Sequence, residues 1–244
     1  MRFTEAVNAL VHDPEPFVKR SAIIAACKLQ NREQLPYIIG LLENPDSKYL
    51  ALQGLRQYGD EIFTDIRHLE VNLLKNLSND LIKLAGKTKG SHSTRYLLQM
   101  LTSAATDSEQ IVHALWTKDF TPDNETDIKQ LDKLRDRFLQ SGIQKVIDFM
   151  EVPEYKDQNM IKASLDSEIR NDVTSALKIC AILHSKPEFN RILELIEHGE
   201  NNRLYNAIEM LELVLPGKVA RDLNTLFDYL LDPSLIKKSA PQKD

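Results

Sequence analysis

Ser21–Leu29 reads SAIIAACKL, and the same signature returns as LALQGLRQY at Leu50–Tyr58, SALKICAIL at Ser175–Leu183 and NAIEMLELV at Asn206–Val214. Laid over one another without gaps, the four place Ala22, Ala51, Ala176 and Ala207 in one column and Ile23, Leu52, Leu177 and Ile208 in the next. A small residue beside an aliphatic one, with apolar residues three, four and seven positions on, lets a helix lie close against its neighbours. Such a unit cannot bury its face alone and needs stacked copies. The expected fold is therefore all-α, a superhelix of stacked helix pairs.

Composition agrees. The 244 residues include only 8 Gly, with no Asn-Gly or Asp-Gly turn between alternating runs, so strands have no support. The 31 Lys and Arg are mixed with 36 Asp and Glu to a net charge of −5, which sets up no field for a polyanion, and no nucleic-acid partner is expected. Cys27 and Cys180 sit inside two of the signatures, in adjacent columns, as buried small hydrophobes; reduced thiols and a cytoplasmic setting are expected. No apolar run approaches the roughly 20 residues of a membrane span, and the N-terminus lacks a secretory h-region, so no direct membrane insertion is expected.

Periodicity predicts helices over Phe3–Val11, Glu15–Leu29, Arg32–Glu43 and Lys48–Tyr58, with Asp13-Pro14 and Asn44-Pro45 in the breaks and Gly59 as a C-cap. Further helices are expected at Ile62–Leu74, Asp80–Lys87, Thr94–Thr102 and Ser108–Trp116. The polar loop Thr121-Pro122-Asp123-Asn124 then precedes two long helices, about Glu125–Met150 and Asn159–Leu183. Pro187–Glu197, Asn202–Leu215 and Gly217–Leu231 follow. This divides the chain into repeats over 1–59, an irregular helical region over 60–154, repeats again over 155–232, and a flexible polar tail over 233–244.

The stretch HDPEPFVKRSAIIAACKL, followed by LPYIIGLLENPDSKYLALQGLRQYG, resembles two HEAT repeats. Asp13-Pro14 stands in the loop, Val18 and Arg20 open the first helix, Ala22-Ile23 lie in its middle, and Leu35-Pro36, Ile38-Ile39 and Leu41-Leu42 form the second. RLYNAIEMLELVLPGKVARDLNTLFDYLLDP repeats the pattern, while residues 60–150 match it poorly. The resemblance implies a HEAT/armadillo-like solenoid. Within it, Tyr205–Leu231 is similar to the helical-repeat region that follows the membrane domain of bacterial nucleotide-translocase-like (ATP/ADP carrier-type) transporters. That likeness implies a cytosolic segment of a larger protein, tethered to a membrane domain and holding neither transport path nor nucleotide pocket. It carries a corollary: Phe3, Val7 and Leu10 should lie partly uncovered, where an upstream helix would have packed.

Candidates for chemistry are few. Gly86-Lys87-Thr88 ends like a phosphate-binding loop, but the glycine required five residues before Gly86 is Leu81, and an amphipathic helix stands where a strand is needed. Gly86 and Gly90 are expected as helix C-caps, and Lys83, Lys87, Lys89 and Arg95 as a solvated basic face near a helix end. His12, His68, His92, His113, His184 and His198 show no ligand spacing with each other or with cysteine, so no metal is expected. Trp116, near Lys118, Asp119 and Phe120, is similar to the tryptophan and catalytic aspartate of helical-repeat DNA glycosylases, yet the dense basic lining that a phosphate backbone demands is missing. Packing is the expected role of Trp116. Asp166 and Glu168 lie on adjacent faces of one helix, two residues apart, and are expected at a solvated edge.

No catalytic residue, cofactor site or metal site is therefore assigned. A non-enzymatic scaffold is expected, binding a protein or peptide across a concave or edge surface, with Glu33, Gln34 and Tyr37 on one helix and Glu188, Arg191 and Glu194 on another exposed. A free-standing adaptor is the alternative to the transporter segment, and an enzyme on a helical-repeat scaffold the competing class.

Overall fold

A computed structural model describes residues 2–66, 71–101, 107–153, 159–184, 187–198, 205, 208–209, 211 and 215–232, with the backbone alone at 2 and 71–78. Among these residues every regular element is a helix. They gather into two compact units, Met1–Lys118 and Asp119–Asp244, and the division falls inside the stretch 60–154.

The first unit holds α1 (Arg2–Leu10), α2 (Pro16–Lys28), α3 (Leu35–Gly40), α4 (Pro45–Leu55), α5 (Ile62–Ile66), α6 (Val71–Lys87), α7 (Ser91–Met100) and α8 (Ser108–Thr117). Where one helix is expected over Arg32–Glu43, α3 runs between two 3-10 turns, Arg32–Gln34 and Leu41–Glu43. Pro36 is the reason at the first of them. It has no N–H to return to Arg32, so Leu35 closes a tighter turn on that carbonyl instead. α4 begins three residues earlier than expected, because Asn44 caps it, accepting from Asp46 N at 2.9 Å, and Pro45 fits the first helical position. α6 continues through Lys75–Asn79, where a break is expected. Gly59, at φ 65°, interrupts the 3-10 turn Arg56–Glu61 that follows α4.

Each short helix rests on neighbours near it in sequence: α2 on α1 and α4, α3 on α4, α5 on α7, α6 on α7 and α8. Ala22 and Ala51 are buried, as are Ile23 and Cys27; Leu52 is only half-buried. Contact between α2 and α4 is close enough that a Cβ on Gly54 would stand 2.5 Å from Cys27 Sγ. Gly86 plays the same part between α6 and α8, where a Cβ would come 2.9 Å from that of Ala114. It is helical and serves a helix crossing, which corrects its reading as a cap. Phe3 and Leu10 are exposed, while Val7, grouped with them, is buried.

In the second unit α9 (Glu125–Glu151) packs along α10 (Asn159–His184); α11 (Pro187–His198) lies on α10, and α12 (Gly217–Leu231) on both α9 and α10. Asn124 caps α9 from Asp127 N at 2.9 Å, and Val152, extended before Pro153, ends it. Gly142 lets α9 approach α12 and α10: a Cβ there would meet Leu226 at 3.1 Å and Asp172 at 3.4 Å. Ala176 and Leu177 are fully buried and Ile208 is buried. Along α9 the core side is Leu131, Leu134, Phe138, Leu139 and Val146, whereas Ile128 and Ile147 face solvent. Ala207, His68 and the tail Lys237–Asp244 lie outside the described residues. Among those residues no helix is long and apolar enough to cross a membrane.

Candidate functional site

The densest polar cluster of the first unit is built from residues that the sequence does not single out together. Gly59 turns the chain so that Asp60 points at the start of α7. Its Oδ2 accepts from His92 N and its Oδ1 from Ser93 N, both at 2.8 Å. The helix N-terminus has no capping side chain of its own, since its N-cap is Gly90, which corrects the C-cap expected there. Gly90 sits at φ 143° against the Asp60 carboxylate, in the space a Cβ would occupy. From the end of α8, Lys118 Nζ donates to Ser93 Oγ at 2.9 Å, to Ala85 O at 3.2 Å and to Thr88 O. Ser93 Oγ lies 3.1 Å from Thr88 O and 3.2 Å from Gly90 O, to which it donates. His92 Nδ1 meets Thr64 Oγ1 at 3.1 Å, and its Nε2 lies 3.6 Å from Glu61.

A serine hydroxyl on a lysine amine is the contact of a nucleophile and its base. Here burial pulls the Lys118 ammonium below the ordinary lysine value, against the opposing pull of Asp60. Burial works against the Asp60 carboxylate as well, yet the bonds from Ser93 and His92 hold its pKa below the usual aspartate value. The other requirements of catalysis are unmet. Ser93 is 0% exposed and spends its proton on backbone carbonyls, while three acceptors take the three N–H groups of Lys118. In this arrangement the cluster ties α6, α7 and α8 to the turn before α5. Asp60, Ser93 and Lys118 are 33 and 25 residues apart and share no helical spacing, so no sequence signal brings them together.

The second unit carries its ion pairs on its two long helices, and Lys145 joins one helix to the other. Arg135, nearly buried on α9, pairs with Asp132 at 2.6 Å and Asp136 at 2.8 Å. Lys145 reaches from α9 to Asp172 at 2.9 Å and Glu168 at 3.3 Å on α10. Asp166 accepts from Arg170 at 2.9 Å and from the Tyr229 hydroxyl of α12 at 3.1 Å. Asp166 and Glu168 thus serve different partners and do not converge; Glu168 is exposed and Asp166 half-exposed, the latter also accepting a helix-to-helix bond from Tyr229. The Tyr229 ring stands edge-on to Phe149 at 5.2 Å.

The remaining candidates are placed as follows. Cys27 and Cys180 are free and buried, and burial pushes their thiols up to about 11 and about 12, away from thiolate chemistry. Gly86-Lys87-Thr88 closes a helix where a phosphate loop would open one. Lys83, Lys87, Lys89 and Arg95 are all exposed. Among the described residues no three His, Cys, Asp or Glu are grouped to hold a metal ion. His12 packs edge-on to Tyr37 at 4.5 Å, His113 lies 5.8 Å from Trp116, His184 stacks on Phe189, and His198 Nδ1 bonds Glu194 O at 2.7 Å. Trp116 is half-buried, and Asp119 is exposed at φ 50°. Of the residues expected to face solvent, Glu33, Glu188, Arg191 and Glu194 do so, although Glu33 accepts from Asn8 at 2.8 Å; Gln34 and Tyr37 are half-buried.

No family model matches the chain, and no curated protein or solved structure matches it.

Proposed function

We propose that this chain is a non-enzymatic helical-repeat module of HEAT-like construction that holds a protein or peptide partner in the cytoplasm. The observation that carries the reading is the stacking in the first unit, where α2 rests on α4 and α6 on α8 across one intervening helix, through glycine and small-residue contacts. Helices stacked next-but-one in this way leave a row of outward faces for a partner. Large apolar groups remain in solvent on such faces, among them Phe17 and Tyr49. The likeness of Tyr205–Leu231 to transporter-linked repeats supports the narrower reading, a cytosolic segment of a nucleotide-translocase-like carrier; a free-standing adaptor is its alternative.

Proximity labelling with the tagged chain, followed by direct titration of purified hits, tests the module. At least one hit should bind with a Kd unchanged by Asp119→Asn or Ser93→Ala. Turnover of an ester, amide or damaged-DNA substrate that disappears in either variant would overturn the reading in favour of an enzyme. Fractionation of the native gene product separates the two narrower forms: a membrane-bound product larger than 27.9 kDa supports the carrier, and a soluble one of that mass the adaptor.

A further inference from the structure

We propose that the solvent face of α2 is the docking strip and that its occupant is an acidic amphipathic segment of a partner protein, an inference that rests on the interaction-module reading. Phe17, Arg20, Ile24 and Lys28 are spaced three, four and four residues apart and so share one face of the helix. The opposite face, Ala22, Ile23, Ala26 and Cys27, is the buried one. Phe17 is 80% exposed and Ile24 37%, on a helix already packed on both α1 and α4.

Charge names the occupant. From residue 16 to residue 32 the chain carries Lys19, Arg20, Lys28 and Arg32 and no acidic residue, within a protein of net charge −5. Lys19 lies 5.6 Å over the Tyr37 ring and Arg32 pairs with Asp65 at 3.3 Å. Arg20 and Lys28 have no ion pair or hydrogen bond through their side chains among the described residues, whereas Arg135, Lys145 and Arg170 all do. Apolar and basic groups therefore alternate along the strip with the period of a helix that alternates apolar and acidic ones. A second copy of α2 would oppose like charges and is the wrong occupant. An anionic lipid surface would be drawn by two cations only, a weak attraction, and it is made an arm of the test.

The probe is a fluorescein-labelled synthetic helix of about 18 residues, leucine on one face and glutamate flanking it, titrated into the full chain at physiological salt. Saturable anisotropy with a Kd on the order of 10 µM is expected. Phe17→Ser, and Arg20→Glu with Lys28→Glu, should each weaken it at least about tenfold. Lys83→Glu with Lys87→Glu makes the same change in net charge on the other basic face and should leave it unchanged. No saturable binding, equal loss in both charge reversals, or tighter binding to phosphatidylserine vesicles than to the peptide would overturn the strip. A partner from proximity labelling that binds Phe17→Ser as well as native chain would sink the strip and leave the module standing, whereas the absence of any direct partner would remove both.

Discussion

In Met1–Lys118 one aspartate, one serine and one lysine bridge four short elements, whereas in Asp119–Asp244 Arg135, Lys145 and Arg170 are paired at three levels of two long helices. Element length accounts for the contrast. Every α-helix leaves four N–H and four C=O groups without partners inside it. In α7, with 10 residues, that is a large share of the backbone; in α9, with 27, it is a small one. The first unit accordingly spends half-buried polar side chains on helix ends, Asp60 on the N–H groups of α7 and Lys118 on the carbonyls that end α6. In the second unit the backbone is largely satisfied within α9 and α10; Lys145 ties one to the other through Asp172 and Glu168, while Arg135 and Arg170 pair within their own helices.

The largest effect that would sharpen this contrast is expected at Lys145. Replacing it by Met leaves Asp172, 3% exposed, buried without its cation. Breaking one side of such a pair costs about 3–5 kcal/mol, while replacing both sides by apolar groups is close to neutral. Urea denaturation of Lys145→Met, and of Lys145→Met with Asp172→Leu, measures both. If the single variant unfolds at the native midpoint, apolar packing alone sets the α9–α10 register.

Next in size is Gly90→Ala in the first unit. Alanine would be held at φ 143° with its Cβ in the space of the Asp60 carboxylate, so both the backbone strain and the displaced cap count against it. About 2–3 kcal/mol of destabilisation is expected. Hydrogen exchange should show the loss first at the amides of His92 and Ser93; unchanged protection there would mean that Asp60 does not cap α7 in solution.

Gly54→Ala should cost about 1–3 kcal/mol by overpacking, since its new methyl meets Cys27 Sγ. Cys27→Ala in the same chain removes the obstacle, so the two changes should couple by at least about 0.5 kcal/mol. Strict additivity would break the idea that the α2–α4 contact passes through this pair.

The fold was legible wherever one physical signal dominated. Gly217–Leu231 ends where its apolar period ends and starts just after Pro216, and Asn124 marks the first turn of α9 by its own cap. Legibility failed where two signals competed. The mostly polar stretch Lys75–Asn79 resembles a loop, but lies inside α6. Pro45 reads equally as a breaker or as a first helical residue, and only the Asn44 side chain decides. Gly86 could cap or could admit a neighbour, which depends on Ala114, 28 residues away. The Asp60–Ser93–Lys118 cluster was illegible for the same reason in a stronger form. None of its members differs locally from a surface residue; only the packing of α6, α7 and α8 makes them meet.

Asp60→Asn is the smallest of the expected effects and the one that tests the cap by its charge. Asparagine keeps one acceptor, so at neutral pH about 0.5–1 kcal/mol should be lost, the low end for a capping residue. The pH dependence is more telling. The folded-state pKa of Asp60 lies below its unfolded value, so its contribution is present above the unfolded value of about 4 and is lost as the pH falls through the folded one. The stability gap between native chain and Asp60→Asn should therefore be level above about pH 5 and narrow on acidification. His92 supplies one of the two backbone donors, and its ring lies 3.6 Å from Glu61. Repeating the titration in His92→Gln separates its share. A gap that stays constant down to pH 3 would show that Asp60 binds α7 as a shape rather than as a charge.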